Sequence, residues 1–375
     1  MRDVKEILDE LIRIADNPKA CLDEVLAAGK KAVGVMPYYA PEELVYAAGM
    51  VPFGLWGADM AVSESRQYFP AFYCGIVHTI LELGLTGKLS GLSAVMIPLT
   101  CDSLKGMGAN WKYGVKTIPI IDVPYAQNRK IEAGKAFTTA KYKEILAKLT
   151  AISGKTVTDE DILAAIRLFN ENRAACMDFV RLAGKHTDVI SALARSKVLK
   201  SRTFADKARH TALVRELNEA LQKLPECTRG IPVVTTGILA DSPELMNILD
   251  ENGFVIAADQ VAYESVELRY PVPEVPEDPV SGFALRLAET EGTSVLYDPG
   301  KKRAEDLKNL AKEAGAAGVI WVGTKFCDPE EFDYVPVKNV LDEAGIPVLT
   351  IEVDRQMVNF EQIRTAAEAF KDAVG

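Results

Sequence analysis

Runs of mainly apolar residues, each about as long as a β-strand, alternate with helix-length segments in the first and last thirds of this chain. The clearest of these runs are SAVMIPLT (93–100), KTIPIIDVP (116–124), IPVVTTGIL (231–239) and GVIWVG (318–323). A strand without regular polar alternation is buried on both faces, as in a parallel sheet covered by helices. We therefore predict an α/β protein with two Rossmann-like parallel-sheet domains.

The middle of the chain has a different periodicity. Apolar residues recur there at helical spacing, and strand-like runs are nearly absent. Thr158 and Asp161 have the spacing of a capping box, and the first residues of the chain carry a further helical apolar stripe. We divide the chain into an N-terminal helical segment (1–32), a first α/β domain (33–129), a helical insertion (130–229) and a second α/β domain (230–375).

Composition limits the class of protein. With 375 residues, of which 48% are hydrophobic and 26% charged, the chain is long enough to bury more than one core. Its net charge of −10 and its lack of a Lys/Arg block argue against a nucleic-acid partner. The longest uncharged stretch, Leu44–Ala58, has 15 residues and contains Gly and Pro, whereas a bilayer span needs roughly 20 apolar residues. We expect no membrane span, no secretory signal and a cytoplasmic location.

Three of the six cysteines stand where strands and helices are predicted to meet. Cys101 and Cys327 follow predicted strands, and Cys74 precedes an apolar helix. In open α/β sheets ligands bind at the carboxyl ends of strands, and a helix N-terminus favours the thiolate that binds metals. We therefore predict that Cys74, Cys101 and Cys327 meet in a cleft between the two domains and act as metal ligands.

The other cysteines have ordinary structural positions. Cys21 and Cys176 lie in helical segments and Cys227 lies in a connection, and thiols in such places usually serve only packing. The spacing of the three cysteines by itself does not identify the metal that they would bind. The separations of 27 and 226 residues within the candidate set differ from the CxxC grouping of ferredoxins, and a zinc site with three cysteines and a water is an alternative.

No catalytic acid, base or nucleophile stands out in the sequence. Asp102 and Asp328 each follow a cysteine at a predicted helix start, where an aspartate usually caps the helix. His78 lies one turn beyond Cys74 and is predicted to be a packed helical histidine. The chain has neither a P-loop nor a complete dinucleotide-binding glycine motif, so we expect neither ATP nor NAD to bind in the familiar ways.

Five segments, in this order, resemble the 2-hydroxyacyl-CoA dehydratase family, which includes benzoyl-CoA reductase subunits. They are PEELVYAAGMVPFGLWG (41–57), VTDEDILAAIRLFNENR (157–173), KFCDPEEFDY (325–334), GIPVLTIEVD (345–354) and EQIRTAAEAF (361–370). The resemblance covers nearly the whole length. It is strongest to the smaller, β-type subunit of the heterodimeric enzymes, in particular to the (R)-2-hydroxyisocaproyl-CoA type.

The resemblance implies a cofactor and a reaction. Cys74, Cys101 and Cys327 match the family's three cysteine motifs and are expected to hold one 4Fe-4S cluster per chain, in which one iron has no protein ligand. The family removes water from (R)-2-hydroxyacyl-CoA. An electron added to the thioester carbonyl gives a ketyl radical anion, which expels hydroxide. The β-proton, which is then acidic, is lost, and the electron is returned as (E)-2-enoyl-CoA forms. The β-type cluster is expected to relay that electron.

The resemblance also implies partners. A homologous α-type subunit is expected to complete a heterodimer and to hold most of the acyl-CoA substrate, and an ATP-dependent iron–sulfur activator is expected to inject the electron. The corresponding setting is amino-acid fermentation in anaerobes. Two alternatives stay open: a benzoyl-CoA-reductase-like subunit, which would consume electrons, and a non-catalytic iron–sulfur protein for electron transfer or scaffolding.

Overall fold

The computed structural model describes residues 2–36 and 39–375. The chain begins with two helices, α1 (Val4–Asp16) and α2 (Pro18–Ala27), and then enters a first sheet. The strands of that sheet are β1 (Ala32–Val35), β2 (Val51–Gly54), β3 (Leu92–Pro98) and β4 (Ile120–Val123), all parallel, in the order β2-β1-β3-β4. The helices between them are α3 (Glu42–Ala47), α4 (Gly75–Leu85) and α5 (Asp102–Gly114).

A helical layer follows the first sheet. It consists of α6 (Glu132–Ser153), α7 (Asp159–Ala183), α8 (Ala192–Ser201) and α9 (Lys207–Leu221). The predicted capping box begins α7, because the amide of Asp161 donates to Thr158 Oγ1 and the amide of Thr158 donates to Asp161 Oδ2. Helix α7 packs on α9, and α1 packs on α8, so the N-terminal helices and this layer share one core.

The second sheet repeats the topology of the first. Its parallel strands are β5 (Ile231–Gly237), β6 (Phe254–Val261), β7 (Gly318–Thr324) and β8 (Val348–Val353), in the order β6-β5-β7-β8. The accompanying helices are α10 (Pro243–Glu251), α11 (Pro279–Glu289), α12 (Lys302–Glu313), α13 (Asp328–Glu343) and α14 (Glu361–Val374). The predicted fold class, two Rossmann-like parallel-sheet domains with a helical insertion and an N-terminal helical segment, is confirmed.

The equal strand orders define equivalent positions in the two sheets. In each sheet the direction of strand connection reverses beside the strand that is third in sequence, β3 or β7, and ligands bind at such switch points. Cys101 follows β3 and Cys327 follows β7. The repeated topology therefore gives both cysteines the place where an α/β sheet ordinarily binds its ligand.

The described part of the chain contains no helix that is both long and apolar enough to cross a membrane.

Candidate functional site

Each of the three predicted ligands is the N-cap residue of a helix. Cys74 precedes α4, Cys101 precedes α5 and Cys327 precedes α13. The prediction that Asp102 and Asp328 cap these helices is wrong, because each aspartate is the first residue inside its helix. Within the described residues none of the three cysteines makes the side-chain hydrogen bond of a conventional cap.

The structure brings the three thiols near enough to one another for their charges to interact. Besides burial, a charge on Cys101 raises the pKa of Cys74, and charges on Cys74 and Cys101 both raise the pKa of Cys327. Cys74 and Cys101 belong to the part of the chain that forms the first sheet, and Cys327 belongs to the part that forms the second. The thiols do not gather at one point: in residues 2–36 and 39–375 no three His, Cys, Asp or Glu side chains form a group that could hold a metal ion.

Burial keeps the thiols protonated in the chain without metal. Cys74 is 8% exposed, and burial raises its pKa to about 12, although the amides of Ile76 and Val77 act in the opposite direction. Burial likewise raises the pKa of Cys101 and of Cys327 above the ordinary value. The helix N-termini favour the charged sulfur, but burial outweighs them. Binding of a metal has to displace these protons, which is how thiolate sites are usually loaded.

The donor set fits an iron–sulfur cluster. Three soft sulfur ligands favour iron–sulfur, zinc or copper(I) centres over hard cations. A single ion needs its ligands around one point, whereas a cluster takes one thiolate at each of several irons, so its ligands stand further apart. The amides of the first helical turns, Ser103 and Leu104 beside Cys101 and Ile76 and Val77 beside Cys74, favour a charged sulfur.

The turn before Cys327 is held in an uncommon backbone conformation. The amide of Cys327 donates to Thr324 O at 3.0 Å, and Phe326, inside this turn, has a φ of 60°. A residue other than glycine in the left-handed region costs energy and persists only where its surroundings fix it. Lys325 provides one contact to this residue, since its Nζ lies 5.3 Å from the centre of the Phe326 ring.

His78 fixes the loop that leads into Cys74. The side chain is 2% exposed and lies one turn into α4. Its Nε2 is 3.1 Å from Pro70 O, a carbonyl that only accepts, so Nε2 donates and Nδ1 accepts from the Ser65 hydroxyl at 3.2 Å. His78 is thus a packed histidine, as predicted, and its contacts hold the residues just before Cys74.

Arg355 joins the loops of the two sheets, and the sequence analysis did not identify it. This buried arginine follows β8 and donates from Nε and Nη2 to Trp56 O at 3.2 and 3.1 Å. It also pairs with Asp59 at 3.0 Å and with Asp241 at 2.9 Å. Trp56 and Asp59 follow β2 and Asp241 follows β5, so one guanidinium connects three strand ends from both sheets. The only signal in the sequence is its position directly after a strand, which many surface residues share.

Gly75 lets the loop after β8 approach the first turn of α4. A Cβ atom at this position would lie 1.9 Å from Asp354 Oδ1 and 3.2 Å from the amide nitrogen of Arg355. Real Cβ atoms do not approach other atoms so closely. Glycine is therefore required beside Cys74 for the two sheets to come together as they do.

We expect Gly75→Ala to lower stability by about 1–3 kcal/mol and to weaken metal retention, because Asp354 or α4 must move. The measurements are thermal unfolding and iron content after gel filtration of the anaerobically reconstituted protein. Gly106→Ala on α5 is the matched control, since the nearest atoms to its Cβ would be Tyr73 Cε1 at 3.5 Å and Phe69 Cε1 at 3.6 Å, which are ordinary contacts. Equal behaviour of the two variants would contradict the role given to Gly75.

The remaining cysteines lie away from the strand ends. Cys21 is part of α2, Cys176 is fully buried in α7, and Cys227 lies in the connection before β5, where its amide donates to Lys185 O at 2.9 Å. Burial raises the pKa of Cys176 to about 11. These positions agree with the structural role predicted for them.

Comparison with known proteins gives the family. The family model of the 2-hydroxyglutaryl-CoA dehydratase D-component matches residues 37–374. The (R)-phenyllactyl-CoA dehydratase beta subunit of Clostridium sporogenes is 44% identical over 376 residues, covering 100% of both chains. The beta subunit of (R)-2-hydroxyglutaryl-CoA dehydratase from Acidaminococcus fermentans is 38% identical, covering 99% of this chain and 100% of the relative. The lactoyl-CoA dehydratase subunit beta of Anaerotignum propionicum is also 38% identical, covering 99% of each. This chain belongs to the 2-hydroxyacyl-CoA dehydratase family, as the sequence segments predicted.

Proposed function

We propose that this chain is the β-type subunit of a 2-hydroxyacyl-CoA dehydratase, a hydro-lyase, and that Cys74, Cys101 and Cys327 hold one 4Fe-4S cluster. One observation carries the proposal. Three thiols, of which Cys74 is buried and the other two are partly buried, stand at the starts of three helices in a chain of this family. Charges on neighbouring cysteines raise the pKa of Cys74 and of Cys327. The domains at 33–129 and 230–375 would then each contribute to the same cluster.

The cluster, when bound, supplies a low-potential electron to the reaction. The packed chain buries Cys74 and partly buries Cys101 and Cys327. Amides of the first helical turns favour a charge on the sulfur atoms of Cys74 and Cys101. Arg355 and Gly75 keep the two sheets in the relative position that the three ligands need. We assign no acid, base or substrate contact to this chain.

A relay role for this chain is supported by its likeness to the beta subunits of 2-hydroxyacyl-CoA dehydratases. A beta subunit implies a companion subunit, and we place the substrate mainly in a homologous α-type subunit, which forms a heterodimer with this chain. An ATP-dependent iron–sulfur activator is the proposed electron donor.

The first test is the cofactor itself. We expect anaerobically reconstituted protein to be brown, with iron and acid-labile sulfide in equal amounts and about four of each per chain. A protein that binds zinc without sulfide would support the mononuclear alternative, and a colourless, iron-free preparation would contradict the proposal.

The second test is turnover with the companion subunit, the activator, ATP and an (R)-2-hydroxyacyl-CoA such as the phenyllactyl or 2-hydroxyisocaproyl thioester. We expect (E)-2-enoyl-CoA in large excess over the electrons supplied, because the electron is recycled. Consumption of electrons in proportion to product would favour a benzoyl-CoA-reductase-like subunit. A cluster-containing protein that yields no product with any of these thioesters would favour the scaffold alternative.

A further inference from the structure

Two buried threonine hydroxyls without partners stand next to two of the three candidate ligands. Thr100 directly precedes Cys101, and Thr324 begins the turn that ends at Cys327. The Oγ1 atom of each is buried, and neither atom has a hydrogen-bond partner in residues 2–36 and 39–375. A buried hydroxyl with nothing to bond is unfavourable by about 1–3 kcal/mol, so the pair requires an explanation.

The two threonines occupy related places in the repeated topology. Thr100 lies just after β3 and Thr324 is the last residue of β7, and these are the third strands of two sheets with the same order. Each lies at the switch point of its sheet, where a ligand is expected. Two hydroxyls of the same kind, each between a switch-point strand and a candidate ligand, indicate a shared partner.

The surroundings of Thr324 connect it to the third ligand. Thr324 is 7% exposed and lines a small cavity of about 20 Å³ together with Ile76, in the first turn of α4, and Asp354. Its carbonyl already accepts from the amide of Cys327. The residue therefore lies between the start of the Cys74 helix and Cys327.

Resting on the cluster proposed above, we infer that the hydroxyls of Thr100 and Thr324 donate hydrogen bonds to the sulfur atoms of the bound cluster and raise its reduction potential. A hydrogen bond to sulfur stabilises the more negative, reduced form more than the oxidised form. Cluster binding would also satisfy both buried donors, which removes the cost of leaving them unpaired in the fold. These are tuning residues, since the three cysteines alone hold the metal.

The test compares midpoint potentials of the reconstituted protein, measured by an EPR-monitored redox titration. We expect Thr100→Val and Thr324→Val each to shift the potential to a more negative value, and the double variant to shift it further. Thr→Ser at either position retains the donor and is expected to restore the wild-type potential. Thr138→Val is the matched control, because Thr138 is a buried threonine on α6 whose hydroxyl also lacks a partner among the described residues.

The outcomes separate this inference from the proposed function. If the wild-type protein holds no cluster, the proposed function fails and this inference fails with it. If all variants bind iron and sulfide equally and the valine variants keep the wild-type potential, only the inference is overturned. Circular dichroism of each variant checks folding, and a misfolded valine variant is replaced by alanine at the same position, with the same expected shift.

Discussion

Changing Cys101 to serine is expected to reduce bound iron from about four atoms per chain to fewer than about one after anaerobic reconstitution. A serine hydroxyl stays protonated at neutral pH and is a hard donor, so it does not replace a thiolate on iron. The helix itself is not endangered, since serine is one of the preferred N-cap residues and Cys101 makes no cap bond of its own in the described structure. Iron and sulfide analysis together with visible absorption measures the result.

Cys176→Ser is the matched control because it makes the same atomic change at a cysteine outside the site. Cys176 is fully buried in α7, so a hydroxyl there costs about 1–3 kcal/mol of stability. The two variants should therefore behave in opposite ways: Cys101→Ser keeps its stability and loses iron, whereas Cys176→Ser keeps iron and unfolds earlier. Full iron content in the Cys101 variant would refute the assignment of ligands.

Local patterns were sufficient to predict the sheets and the positions of the candidate ligands along them. A run such as SAVMIPLT has no polar alternation, so only burial on both faces suits it, and the residue after such a strand lies at the ligand-binding edge. Cys101 and Cys327 could be placed from this reasoning, and Cys74 from the apolar helix that it precedes. Whether they share one cluster depends on the arrangement of the two sheets, which periodicity does not encode.

The errors and omissions have a common physical origin in tertiary contacts. The helix starts indicate that a charge on sulfur is favoured, but the opposing effect of burial, which raises the pKa of Cys74 to about 12, is a property of the packed chain. Arg355 was missed because its partner Trp56 is 299 residues away in the sequence. Gly75 was missed because an ordinary helical glycine and one that faces Asp354 look the same in sequence.

Arg355→Met is expected to lower the free energy of unfolding by about 3–5 kcal/mol, because it breaks a buried ion pair and leaves Asp241 with Lys200 alone. Two hydrogen bonds to Trp56 O are lost as well. Methionine retains much of the volume, so the loss reports charge and hydrogen bonding more than a cavity. Urea unfolding followed by circular dichroism and fluorescence measures the change. Arg364→Met is the control, since Arg364 pairs with Glu244 and Glu251 at the surface, where solvent screens the charges and little loss of stability is expected.

The pH dependence of this loss identifies its origin. Burial opposes ionisation of Asp241, but the charges of Arg355 and Lys200 outweigh it and hold the pKa of Asp241 below its ordinary value. A carboxyl group with a lowered pKa contributes stability above its unfolded pKa of about 3.9 and loses it as the pH falls. The difference between wild type and Arg355→Met should therefore be full at pH 7 and should shrink below about pH 4. Replacing both members of the pair, Arg355→Met with Asp241→Leu, should recover part of the loss, because the fully buried carboxylate is then removed, while Lys200, whose side chain is 19% exposed, still reaches water. A loss that is independent of pH and unchanged in the double variant would mean that Arg355 acts by packing, and the two sheets would then be joined by shape and not by charge.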